Sequence, residues 1–180
     1  MTPLLEAVGV VKTFPGVRAL DGVDFELRAG EVHALLGENG AGKSTLMRIL
    51  AGDHVPDAGE LRFDGRPVRL ASPADAIAHG VRLVAQERAL VPTLSVGENV
   101  LLGRLPRRRG RVDWGAVRAQ AAELLARVGL DVDPATELGL LRRDEQQLVE
   151  VANALSDEGR ILILDEATAS LSTSESERLF

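Results

Sequence analysis

Hydrophobic and polar positions alternate over residues 21–28, with Val23, Phe25 and Leu27 on one side and Asp24, Glu26 and Arg28 on the other. A period of two predicts a strand with one buried face. Ala29-Gly30 turns the chain into a predicted second strand over 31–36. A glycine-rich stretch from Gly37 to Gly42 then leads into a helix over 43–51, closed by Gly52. Segments 60–63 and 66–68 flank Asp64-Gly65 and predict a hairpin with a primed two-residue turn. Ser72-Pro73 starts a short helix with proline in its first turn, and 81–85 is a strand.

The pattern changes in the middle of the chain. Ser95 and Glu98 have capping-box spacing and open a short helix. Residues 105–111, rich in proline and arginine, are expected to form a loop. Asp113 caps a longer helix carrying Val117, Ala121, Leu124, Leu125 and Val128 on one stripe and stopped by Gly129. Residues 144–155 predict another helix, with Leu148, Val151, Ala152 and Leu155 inward. The aliphatic run 161–164 suits a strand buried on both faces of a parallel sheet. Ser172 and Glu175 form a further capping box shortly before Phe180. A helical insertion over roughly 88–156 thus sits between two pieces of an α/β core. The expected divisions are 1–87 (antiparallel β subdomain and first part of the core), 88–156 (helical subdomain) and 157–180 (second part of the core).

Composition narrows the function. Net charge is −6, from 21 basic and 27 acidic residues, which argues against a protein that wraps nucleic acid. Aromatics make up only 3%, too few for a base-stacking platform. The absence of cysteine excludes a disulfide scaffold, a thiolate metal site and a cysteine nucleophile. No apolar run approaches a membrane span, and the first ten residues lack the basic cluster of a secretory signal. His33, His54 and His79 are scattered without ligand spacing.

Two motifs carry chemistry. Gly37-Glu38-Asn39-Gly40-Ala41-Gly42-Lys43-Ser44 fits the phosphate-loop pattern and lies between a predicted strand and a predicted helix. Its glycines let backbone amides turn toward phosphate oxygens, and the helix start adds partial positive charge. Gly37, Asn39, Gly40, Ala41, Gly42 and Thr45 form the expected cradle. Lys43 is expected to reach the β- and γ-phosphates of ATP, and Ser44 to ligate Mg²⁺. Asp165-Glu166 follows the aliphatic strand, where an α/β fold puts its ligand. Asp165 is expected to hold Mg²⁺ through water, and Glu166 to polarise an attacking water.

Between these motifs stand Gln86-Glu87, the stretch Leu90 to Asn99, and Gln146-Gln147-Leu148-Val149-Glu150-Val151-Ala152. Earlier come Phe14-Pro15-Gly16-Val17-Arg18-Ala19-Leu20-Asp21 and Gly30-Glu31-Val32-His33-Ala34-Leu35. On these residues the chain resembles the ATP-binding subunits of ABC transporters, and most of all bacterial importers of monosaccharides such as ribose, xylose and galactose. The resemblance implies a P-loop NTPase (RecA-like) core with an N-terminal antiparallel β subdomain and an inserted helical subdomain. It implies that Phe14 stacks on adenine and that Gln86 contacts Mg²⁺ and the attacking water. It implies transmembrane permeases and a second nucleotide-binding half as partners, a substrate-binding receptor as an indirect one, and a cytoplasmic position peripheral to the inner face of the membrane.

The chain departs from the family at its signature. Where the family reads Leu-Ser-Gly-Gly-Gln, this sequence has Leu141-Arg142-Arg143-Asp144-Glu145. Asp144 and Glu145 suit a helix start but place negative charge toward a phosphate. Arg142 and Arg143 offset it only by turning inward. Ala167 replaces a usual proline and Ser172 a usual aspartate. The family's switch histidine and last core strands are not in the sequence, so the chain reads as the N-terminal part of a first nucleotide-binding half. Two other readings stay open: a module that binds nucleotide but hydrolyses it poorly, and a soluble ABC ATPase outside transport. The five arginines between 104 and 111 read as a solvated loop, with lipid head groups or a transporter's cytosolic loops as a sharper alternative.

Overall fold

The computed structural model describes residues 2–84, 90–156 and 159–165. The chain divides into two compact units, residues 1–82 and 83–180.

The first unit contains a four-stranded antiparallel sheet in the order β2-β1-β3-β4. Its strands are β1 (Leu5–Phe14), β2 (Val17–Leu27), β3 (Ala58–Phe63) and β4 (Arg66–Val68). The alternation over 21–28 is the end of β2. Val23, Phe25 and Leu27 are half-buried there, while Asp24 and Glu26 face solvent. β3 and β4 meet through Asp64 (φ 50°) and Gly65 (φ 73°), the left-handed pair a primed turn needs. Helix α1 (Lys43–Leu50) buries Leu46, Ile49 and Leu50 at helical spacing. Helix α2 (Pro73–Ala78) starts at Ser72, whose hydroxyl accepts from the Asp75 amide at 3.3 Å. Asp75 in turn accepts from the Ala71 amide at 2.9 Å. That bond, then the Ser72 hydroxyl, holds its carboxyl below the ordinary range.

The expected strand over 31–36 does not form. No described strand pairs with it, and Val32 and Leu36 are 68% and 90% exposed. An aliphatic run becomes a strand only when neighbouring backbones accept its ladder and cover its side chains, and the described residues supply neither.

Strand β5 (Val81–Val84) carries the chain into the second unit, where it pairs with β8 (Ile161–Leu164). Between them run helices α3 (Val96–Val100), α4 (Trp114–Arg127) and α5 (Arg143–Leu155). α3 opens with the Ser95–Glu98 capping box, and Asp113 caps α4 by accepting from the Ala116 amide at 3.1 Å. The core joins Val96 and Val100 to Val117, Ala121 and Leu125 and to Val149, all essentially inaccessible to solvent. Each such valine or leucine stabilises the unit by about 1.5–3 kcal/mol relative to exposure.

Residues 105–111 are not simply a loop. β6 (Arg107–Arg108) and β7 (Arg111–Val112) form a small antiparallel hairpin, pairing Arg107 with Val112 and Arg108 with Arg111. Arg109 (φ 52°) and Gly110 (φ 80°) make its turn, repeating the backbone of Asp64-Gly65 with arginine in place of aspartate.

Candidate functional site

The glycine-rich loop runs from Gly37 to the start of α1. Gly40 and Gly42 hold left-handed φ values of 86° and 89°. At Gly42 the demand is also steric, since a Cβ there would lie 2.4 Å from the Ala19 carbonyl oxygen and 2.8 Å from Leu20 Cδ2. β2 therefore sets how closely the loop packs, and only glycine fits. The Ala41 amide donates to the Glu38 carbonyl at 3.1 Å, and Gly42 caps α1 by accepting from the Leu46 amide at 2.9 Å. Lys43 folds back over the loop, its Nζ donating to the carbonyls of Gly37 at 2.7 Å and Glu38 at 2.9 Å. Ser44 and Thr45 follow in the first turn of α1.

The helix starts differ in a way that matters. α2 has Ser72 and Asp75, α3 has Ser95 and Glu98, α4 has Asp113, and α5 has Asp144 and Glu145. Among the described α-helices, α1 is the one whose start carries neither a side-chain cap nor an acid in its first turn. With an ammonium beside it and glycines before it, this end is suited to an anion with several oxygens.

Phe14 ends β1 and is half-buried. Its ring meets His54 edge-on at 5.4 Å, and Lys12 Nζ lies 5.7 Å from its centroid. Lys12 donates to the Val55 carbonyl at 2.7 Å and to Asp57 Oδ1 at 2.9 Å. The other histidines also pack on phenylalanine, His33 on Phe25 and His79 on Phe63.

In the second unit Asp165 directly follows β8. It is 7% exposed, and its amide donates to the Val84 carbonyl at 3.0 Å. Gln86 and Glu166 lie outside the described residues, as do Ala167 and Ser172.

The altered signature opens α5. Arg142 points at its own acids, with Nη2 3.2 Å from Asp144 Oδ2 and 3.3 Å from Glu145 Oε1. Glu145 Oε2 also accepts from the Arg142 amide at 2.8 Å. Charge at this helix start is thus partly balanced within the segment.

Asn99, at the end of the 90–99 stretch, is a buried fastener whose role the sequence pattern did not reveal. It accepts from the Val91 amide at 2.8 Å and donates to the carbonyls of Ser95 at 2.9 Å and Val91 at 3.0 Å. Asn153 of α5 donates to the carbonyls of Asn99 and Val100, each at 3.0 Å. The signal in the sequence was a polar amide among the inward positions of each helix.

A family profile described as ABC transporter matches residues 20–169. The chain is 56% identical, over its whole length, to a ribose import ATP-binding protein of Rubrobacter xylanophilus, covering 36% of that protein. It is 51% identical over 98% of its length to a putative ribose/galactose/methyl galactoside import ATP-binding protein of Burkholderia cenocepacia, covering 34%. The chain therefore spans about a third of these relatives. Among solved structures, the ADP conformation of an ATP-binding cassette of an ABC transporter superposes with a TM-score of 0.84 at 25% identity, covering 99% of this chain and 74% of that one.

Proposed function

The chain belongs to the ABC transporter family, and from that premise we propose that it binds and hydrolyses ATP to power import of a sugar. The observation that carries the proposal is the start of α1, which has no side-chain cap and no first-turn acid, with Lys43 and the left-handed glycines around it. Gly37, Asn39, Gly40, Ala41, Gly42 and Thr45 cradle the phosphates, Lys43 moves from the loop carbonyls to the β- and γ-phosphate oxygens, and Phe14 supports the adenine. In this reading Ser44 would ligate Mg²⁺ and Asp165 would hold it through water, both offering the hard oxygen that this ion prefers. The bound ion supplies neutralising charge at the phosphates. Glu166 would orient and polarise the attacking water, and Gln86 would contact that water and Mg²⁺.

The partners in this reading are transmembrane permeases, a second nucleotide-binding half and, through the permeases, a substrate-binding receptor. Among the described residues no helix is long and apolar enough to cross a membrane. In the proposal the chain sits on the cytoplasmic face, held by those permeases. The three-part division at 87 and 156 belongs to the same reading, with the helical part transmitting closure.

A second reading concerns the site that this chain's signature closes over a partner's nucleotide. The Arg142–Asp144–Glu145 cluster favours it. A helix start that already carries its own ion pairs offers a γ-phosphate less than bare serine and glycine amides do. That composite site hydrolyses poorly, while the site built on Lys43 remains competent with an intact partner signature.

The test is ATP turnover by the protein reconstituted with its permease and receptor. Turnover stimulated by sugar-loaded receptor supports the proposal. Binding without turnover favours a nucleotide-binding module, and copurification with ribosomes or DNA in place of a permease favours a soluble ABC ATPase.

A further inference from the structure

The β6–β7 hairpin breaks two local rules at once. Arg108 and Arg111 are direct cross-strand partners, and like charges in that position destabilise a hairpin. Arg109 holds a left-handed φ of 52°, where the hairpin at 64–65 uses aspartate. Arg107, Arg108, Arg109 and Arg111 are all exposed, and none is ion-paired with a described residue. With Arg104, residues 104–114 carry five arginines and a single acid, the α4 cap Asp113, in a chain of net −6, so the segment stands at +4 and the rest of the chain at −10.

Beside the hairpin stands Trp114, the only tryptophan, at the first position of α4 and 48% exposed. Together Arg108, Arg109, Arg111, Val112, Asp113 and Trp114 line an open cleft of about 560 Å³. A ring with one apolar body and one polar N–H, set among cations, matches the interfacial layer of a bilayer. No buried polar side chain lines the cleft, so it lacks the built partners of a small-anion site. Exposed guanidiniums spread over a short ribbon instead match a surface that presents many phosphates.

We propose that the 104–114 hairpin and Trp114 dock directly on an anionic phospholipid surface. The acidic remainder of the chain is repelled by that surface, so the same charge asymmetry that binds also orients. The like-charge pair and the arginine turn are costs to the isolated hairpin that lipid phosphates offset. This inference does not rest on nucleotide binding, and its test needs no nucleotide.

Trp114 is a built-in reporter. Purified protein is titrated with vesicles of equal parts phosphatidylglycerol and phosphatidylcholine, and with pure phosphatidylcholine, while tryptophan emission and cosedimentation are followed. The expected result is a blue shift and sedimentation with the anionic vesicles alone, both reversed at high salt. The R107Q/R108Q/R111Q variant loses about a hundredfold in partition, at roughly fivefold for each charge near the surface. R107K/R108K/R111K, which keeps the charge, stays within about threefold. Lys43→Ala binds vesicles like the parent protein. Equal binding by the glutamine variant overturns the inference, as does equal binding to neutral vesicles. Polyglutamate or duplex DNA producing the same blue shift at the same concentration of charge also overturns it, because the hairpin would then be a patch for any polyanion.

Discussion

Lys12 and Asp57 lock the end of β1 to the turn that enters β3. The ammonium meets Asp57 Oδ1 at 2.9 Å while Oδ2 accepts from the Thr13 amide at 2.7 Å. The side-chain bond from Lys12, then the Thr13 amide, holds the Asp57 carboxyl below the ordinary range. A carboxyl with a lower pKa folded than unfolded stabilises the protein fully above its unfolded value and loses that effect as pH falls through the folded one. Asp57→Asn is therefore expected to lower the urea midpoint at neutral pH. The gap between variant and parent should begin to narrow near the ordinary carboxylate value of about 4 and close as pH falls through the lower folded one. Urea melts across that range check it, and a gap independent of pH would count against the ionic part of the contact.

Gly42 is constrained by shape as well as by φ. Gly42→Ala puts a methyl carbon against the backbone of Ala19 and forces a left-handed residue with a side chain. The expected loss is about 2–4 kcal/mol, combining backbone strain with displacement of the loop from β2. Denaturant unfolding measures it, and nucleotide binding should weaken in parallel because the amides no longer converge.

Asn99 joins the 91–95 turn to α3 from inside the second unit. Asn99→Ala leaves the Val91 amide without its partner, while the carbonyls of Val91 and Ser95 lose one of two donors and keep the backbone amides of Leu94 and residue 99. A cost of about 1–3 kcal/mol is expected from the part-buried amide left unsatisfied. Hydrogen exchange of the Val91 amide should accelerate along with the fall in stability, and unchanged exchange there would contradict the assigned bond.

Much of this arrangement was legible in the sequence, and for different reasons at each place. The phosphate loop could be read because Gly40 and Gly42 adopt conformations that glycine alone takes without strain. The 64–65 turn could be read for a similar reason. The strand over 31–36 was misread, since Val32 and Leu36 are apolar but no described strand pairs with them. β1 raised no expectation because Gly9 interrupts its alternation, and its register with β2 shifts between Ala7 and Val10. The 107–112 hairpin was hidden by arginines with little strand preference, although Arg109-Gly110 repeats the glycine position of Asp64-Gly65. The turn of Arg142 onto Asp144 and Glu145 was beyond reach, because side-chain direction is decided by packing and charge in three dimensions.

The signature offers a separate test of the second functional reading. Replacing residues 142–145 by Ser-Gly-Gly-Gln removes the Arg142–Asp144 and Arg142–Glu145 pairs and exposes the helix start. In the assembled transporter, ATP turnover is expected to rise about tenfold or more, the scale of regaining one well-aimed donor to a phosphate. Unchanged turnover would remove the case for an impaired composite site.

The proposed function depends most on the hold of Lys43 on a triphosphate. Isothermal titration of MgATP into parent protein and into Lys43→Ala, with unfolding curves to confirm that both are folded, is the most direct measurement. The ammonium's charge-assisted bonds predict a loss in affinity of about thirtyfold with stability nearly unchanged. Equal affinity in the two folded proteins would contradict the central claim.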